Sequence, residues 1–193
     1  MTKTRLEAFS DGVLAIIITI MVLEMKVPHG TSYEDLLPIV PVFLGYVLSF
    51  IYIGIYWNNH HHLLHTVDHV NGAIMWSNLH LLFWLSLFPF VSGWMGENHF
   101  AAAPSALYGF VLLMASVSWT LLQNAIIKTH GTHSLLANAV GDDRKGKLST
   151  LLYAMAIPLA FWQSWLAQIL YIAVALIWLV PDRRITRVLD ENH

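Results

Sequence analysis

The chain has 193 residues, of which 56% are hydrophobic and only 11% charged, and its mean hydropathy is +0.58. Soluble domains carry about 25% charged residues, so this balance excludes an ordinary soluble globule and points to a polytopic membrane protein. The formal net charge of −2 comes without the clustered Lys and Arg that phosphate binding needs, which excludes a nucleic-acid partner. The absence of Cys excludes disulfides and thiolate metal sites, and it leaves the redox compartment open.

The first apolar stretch, Arg5 to Val27, reads RLEAFSDGVLAIIITIMVLEMKV and predicts a membrane-spanning helix with Asp11 inside it. A carboxylate is costly at that depth and needs a reason to be there. On a helical projection at about 100° per residue, Ile16, Ile20 and Leu23 fall on one narrow stripe with Thr19 at its edge, and Asp11 lies roughly opposite Ile20. One face of this helix is therefore apolar and the other anchors polar contacts. Lys3 and Arg5 precede the run, as in a signal peptide. The run is nevertheless too long for a signal-peptide core and ends in Glu24, Lys26 and Pro28 with no A-x-A cleavage site, so it reads as a retained helix.

A short polar loop, Pro28 to Asp35, with His29, Gly30, Thr31 and Ser32, leads into a second span, Leu36 to Trp57, which tolerates Pro38 and Pro41. The polar stretch NNHHHLLHTVDHVNG ends that span. A third span runs from Ala73 to Trp94 and closes at Gly96-Glu97-Asn98-His99, and a fourth runs from Ser105 to Ile127. Lys128 to Lys147 is the longest polar connection and reads as a hinge or a cytoplasmic loop. Leu148 to Val180 holds 33 largely apolar residues, too many for one span of about 20 and enough for two short helices with a turn near Gln163 and Ser164.

Charge decides between five spans and six. With six spans and the N-terminus inside, Lys3, Arg5, Lys128, Arg144, Lys145, Lys147, Arg183, Arg184 and Arg187 are all cytoplasmic, and only Lys26 is outside. Five spans would export the three C-terminal Arg, against the positive-inside bias. The sequence thus predicts an all-α integral membrane protein, a single six-helix domain over residues 1–193 with helices near 6–27, 36–58, 73–94, 105–127, 148–163 and 165–180. It is expected to be multi-pass in the cell membrane with both termini cytoplasmic. The eight Trp and seven Tyr suit interface anchoring or packing between helices.

His60, His61, His62, His65 and His69 form a second conspicuous set. Positions 61, 65 and 69 share a helix face at i, i+4 and i+8, with side chains suited to Zn²⁺, iron or haem. Membrane enzymes built on such boxes need several, and elsewhere the chain offers only scattered His80, His99, His130 and His133, with no H-E-x-x-H. At the cytoplasmic end of the second span the set reads more simply as a polar linker, a hydrogen-bond network toward Asp11 or a pH-sensitive contact. No cofactor, no metal and no enzymatic activity are expected. The alternative is a proton-coupled or metal-dependent membrane protein that uses the His60 to His69 cluster.

The opening of the first helix carries a resemblance. Arg5-x-x-x-Phe9-Ser10-Asp11-Gly12-Val13, followed by Ala15-Ile16 and Thr19, resembles the R-x-x-x-F-S-D signature of the bacterial branch of the transmembrane protein 175 family, the lysosomal and prokaryotic potassium channels. The likeness extends more loosely through Trp57, His60 to His62, Asn78, Leu81-Leu82 and Pro89-Phe90. The last three helices match only in length and hydropathy.

This resemblance implies a homotetramer of six-helix subunits in the lipid bilayer, with the first helix lining a central pore for potassium and other monovalent cations. It implies no pore-loop selectivity filter, and no T-V-G-Y-G occurs in the sequence. Aligned on Phe9-Ser10-Asp11, the family's hydrophobic constriction falls on Ile16, Ile20 and Leu23 and its hydroxyl layer on Thr19. Arg5, Phe9, Ser10, Asp11, His61 and Asn78 would form a structural network off the pore, with Arg5, Ser10 and Asp11 holding the helix through buried hydrogen bonds and an ion pair.

Overall fold

The structure is a computed structural model that describes residues 2–131, 134, 136–137 and 143–179. His133 and the C-terminal Arg183, Arg184 and Arg187 lie outside the described residues. The architecture is all-α: α1 (Lys3–Leu23), a 3₁₀ segment (Tyr33–Ile39) that runs directly into α2 (Val40–His65), α3 (Gly72–Ser86), α4 (Phe88–Glu97), α5 (Ala102–His130), α6 (Arg144–Trp162) and α7 (Ser164–Leu179). Lys3–Leu23, Tyr33–His65, Gly72–Glu97 and Ala102–His130 are long and apolar enough to cross a membrane by length and composition, and Ser164–Leu179 is a shorter apolar helix.

Local chemistry explains where these elements start and stop. The 3₁₀ segment begins where the Asp35 carboxylate accepts the Ser32 backbone N–H and hydroxyl, both at 2.9 Å, which satisfies a donor that a helix start leaves unpaired. Pro41 sits in the first turn of α2, where its missing N–H costs nothing. Helix α3 opens on Asn71, whose side chain accepts the Ile74 N–H at 2.9 Å, a normal N-cap. The interruption at Leu87 between α3 and α4 traces to Pro89, which lies in the first turn of α4: proline cannot continue the backbone ladder through this point. Gln163 is extended, with φ −149° and ψ 104°, and turns α6 back into α7.

Two of these boundaries differ from the sequence expectation. Helix α2 does not stop at Trp57 but continues to His65, because His60, Leu63 and Leu64 are buried and extend its packed face through the polar string. The third span stands as one crossing by length and composition, Gly72–Glu97, but it is broken at Leu87 into two helices for the proline reason just given.

Helix α1 packs against α2, α3 and α4, while α5 lies against α3 and α6, and α6 against α7. Small residues set the close crossings: a Cβ on Gly96 of α4 would stand 2.5 Å from the Val42 Cα of α2, so these backbones touch. Close backbone approach is the usual basis of helix packing in a membrane, where lipid removes the hydrophobic drive between helices. The core buries Tyr52, Tyr108 and Tyr171 with their hydroxyls satisfied. Tyr52 donates to the Tyr171 carbonyl at 2.6 Å, Tyr171 to the Ser105 carbonyl at 2.9 Å, and the Tyr108 hydroxyl meets Ser49 at 3.1 Å.

Candidate functional site

Helix α1 has two faces of opposite character. Leu6, Ser10, Leu14, Ile17 and Met21 are buried against the rest of the chain, spaced at three and four residues so that they make one continuous packed side. Ile16, Ile20 and Leu23 are 57%, 41% and 77% exposed, and Thr19 and Gly12 are exposed with them. A methyl group on Gly12 would meet nothing within 4 Å. In the single chain, no described element therefore covers the stripe of Ile16, Ile20 and Leu23.

The Thr19 hydroxyl donates to the carbonyls of Ile16 at 2.9 Å and Ala15 at 3.1 Å. Its hydrogen is used by the helix backbone. The oxygen lone pairs are left as acceptors, which is the polarity a cation requires.

A buried chain of side chains holds α1 in place. The Ser10 hydroxyl donates to the Leu6 carbonyl at 2.8 Å, the Asn78 amide donates to the Ser10 oxygen at 2.9 Å, and Asn78 Oδ1 meets His60 Nε2 at 2.6 Å. Because a carbonyl oxygen only accepts, His60 donates from Nε2, and the chain runs in one direction from α2 through α3 to α1. Ser10 and Asn78 are fully buried and His60 nearly so. No fully buried side-chain nitrogen or oxygen here lacks a partner among the described residues, as burial demands.

The remaining motif residues are placed elsewhere. His61, assigned to this network from the sequence, is exposed, and its neighbour His60 takes the position instead. Asp11 is exposed in the single chain, and the Trp57 indole donates to its carboxylate at 3.0 Å. Arg5 and Phe9 are also exposed, and Arg5 forms no ion pair with Asp11. Eleven residues before Ile16, Arg5 projects within about 20° of it, on the uncovered side and not beside Ser10. Sequence reasoning missed His60 as the partner of Asn78. The available signal was its spacing, three residues before the apolar pair Leu63-Leu64 that α2 buries.

The histidine set also divides. Helix α2 ends at His65 with Thr66 as its C-cap, so His69 leaves the face of His61 and His65 and stands against His130, ring centroids 4.8 Å apart. No group of three or more His, Asp or Glu side chains is placed to hold a metal among the described residues. At the other end of α1, Lys26 pairs with Glu97 at 2.8 Å, and this hydrogen bond and charge raise the Lys26 ammonium above its ordinary range.

Comparison with known proteins gives concordant results. A family model described as "Endosomal/lysosomal potassium channel TMEM175" matches residues 5–89. A potassium channel of Chryseobacterium sp. (strain P1-3) is 56% identical over 192 residues, 100% of each chain. A potassium channel of Streptomyces collinus is 34% identical over 126 residues, 61% of each chain. The crystal structure of a lysosomal potassium-selective channel TMEM175 homolog from Chamaesiphon minutus superposes with a TM-score of 0.79 at 27% identity, covering 93% of this chain and 97% of that one.

Proposed function

This multi-pass membrane protein belongs to the TMEM175 family of potassium channels, and from that membership we propose that four copies assemble around an axis lined by α1 and conduct potassium and other monovalent cations between them. One observation carries the reading: the Ile16, Ile20 and Leu23 side of α1 is uncovered, while a different side, Leu6, Ser10, Leu14, Ile17 and Met21, is buried in the chain's own bundle. One subunit cannot surround an axis with a single helix. A homotetramer gives that uncovered side an axis to face and lets a second copy cover Asp11, whose carboxylate is costly against lipid.

In this assembly the constriction is made of Ile16, Ile20 and Leu23, with no pore-loop filter. A ring of four isoleucines offers nothing to replace the water that an entering cation loses, so a narrow ring dewets and blocks. Opening rotates or splays the α1 helices. Thr19 then presents hydroxyl oxygens to a partly dehydrated ion, a weaker discriminator than a carbonyl cage, giving modest preference for potassium over sodium. The Ser10–Asn78–His60 chain anchors α1 at Ser10, and the part of the helix from Ile16 to Leu23 moves about that anchor. Both termini are cytoplasmic and the protein works in the cell membrane.

Liposome flux with potassium, sodium and caesium tests this reading, together with native mass determination of the purified particle. Passive potassium flux and a particle of four 21.8 kDa chains support it. A conductive monomer contradicts it.

A further inference from the structure

The described histidines separate by what their ring nitrogens are doing. His80 uses both, meeting the Ser118 hydroxyl at Nδ1 (2.9 Å) and accepting the Trp84 indole N–H at Nε2 (3.1 Å). His130 also uses both, donating to the Ile126 carbonyl from Nδ1 (3.0 Å) and accepting the Asp68 N–H at Nε2 (3.1 Å). His60 is buried with Nε2 on Asn78. His61 and His65 differ from all three. Both are exposed, their rings make no hydrogen bond with any described residue, and they stand one turn apart with ring centroids 4.6 Å apart.

We propose that His61 and His65 form a two-imidazole site for a borderline divalent transition metal, zinc or nickel, with water in the remaining positions. Residues at i and i+4 on a helix present their side chains to the same point, and neutral imidazole is a preferred ligand for these ions. The backbone that carries the pair is already fixed. His60, Leu63 and Leu64 bury the opposite side of the same turns, and the Lys3 ammonium at the start of α1 donates to the His65 carbonyl at 3.0 Å. Pre-organised ligands lose little freedom when the ion arrives. The pair His69 and His130 has a similar ring separation, but the engaged nitrogens of His130 disqualify it. With no third protein ligand grouped there among the described residues, the site is open in the single chain and of moderate affinity.

Calorimetric titration of untagged, full-length protein in detergent with Ni²⁺ and with Zn²⁺ tests the site. The parent binds one ion per chain, His61→Gln and His65→Gln each weaken binding at least about tenfold, and His69→Gln leaves it unchanged. A parent that binds neither ion overturns the proposal, as do His61→Gln and His65→Gln variants that keep parental affinity. Should a variant fail to fold, Cu²⁺ electron paramagnetic resonance on the parent still decides: hyperfine coupling to two imidazole nitrogens supports the site, and coupling to one or none removes it.

Discussion

Trp57 of α2 donates its indole N–H to Asp11 of α1 at 3.0 Å, and both residues lie on the open surface of the single chain. A carboxylate inside a span is costly against lipid, and its one donor among the described residues comes from a side chain that is itself half exposed. In the proposed tetramer this side of the subunit is covered by another copy. Asp11→Asn should therefore lower the yield of tetramer in size-exclusion chromatography more than it changes ion preference. A stable Asn tetramer whose potassium to sodium ratio alone collapses would put Asp11 on the permeation path instead.

The buried chain from His60 through Asn78 to Ser10 gives a stability prediction. Asn78→Leu keeps the volume and removes both bonds, leaving a donor on His60 and an acceptor on Ser10 without partners. Each orphaned group costs about 1–3 kcal/mol, so the thermal midpoint of the purified protein should fall clearly. His61→Gln, one residue from His60 but outside the chain, should leave that midpoint in place. Equal midpoints for Asn78→Leu and the parent would mean that the chain contributes nothing.

The sequence makes some of this legible and hides the rest for physical reasons. Hydropathy marks the helical segments because a lipid-facing helix must be apolar along its length. The projection of α1 groups Ile16, Ile20 and Leu23 because helical period alone fixes which residues share a side. It also puts Arg5 close to that side, a consequence that the resemblance obscured by grouping Arg5 with Ser10 and Asp11. The continuation of α2 through Asn58, Asn59 and the histidines is not legible, since a polar string reads as loop until the burial of His60 by Asn78 is known. That contact joins positions 18 apart in sequence, and no local pattern reports it. The break at Leu87 was within reach, because Pro89 sits two residues later.

The gate is tested by polarity. In the proposed tetramer Ile16→Asn places four amides at the constriction, which hold water and coordinate a cation without adding charge, so potassium leak should rise and discrimination among alkali cations should fall. Ile20→Asn should act in the same direction but less strongly, because one constriction dominates the barrier. Ile18→Asn is the control. It projects about 200° from Ile16 and packs against the core, so it should impair stability without raising flux. Liposome flux from the three variants separates these outcomes.

Thr19 should govern preference and not gating. Thr19→Val keeps the shape and deletes the acceptor oxygen, so reversal potentials under potassium and sodium should move toward equality while conduction persists. Thr19→Ser, which retains the hydroxyl, should stay near the parent. Parental selectivity in Thr19→Val would assign discrimination to another layer.

The absence of native cysteine makes the central claim open to direct measurement. Single substitutions Ile16→Cys, Ile20→Cys, Leu23→Cys, Leu14→Cys and Ile17→Cys can be reconstituted one at a time and challenged with Cd²⁺ during potassium flux. In the proposed tetramer, four thiolates around one axis would bind this soft ion and plug the path. Block is expected at positions 16, 20 and 23 and none at the buried positions 14 and 17. Block at 14 or 17 with free flux at 16, 20 and 23 would show that the uncovered side of α1 does not line the pore.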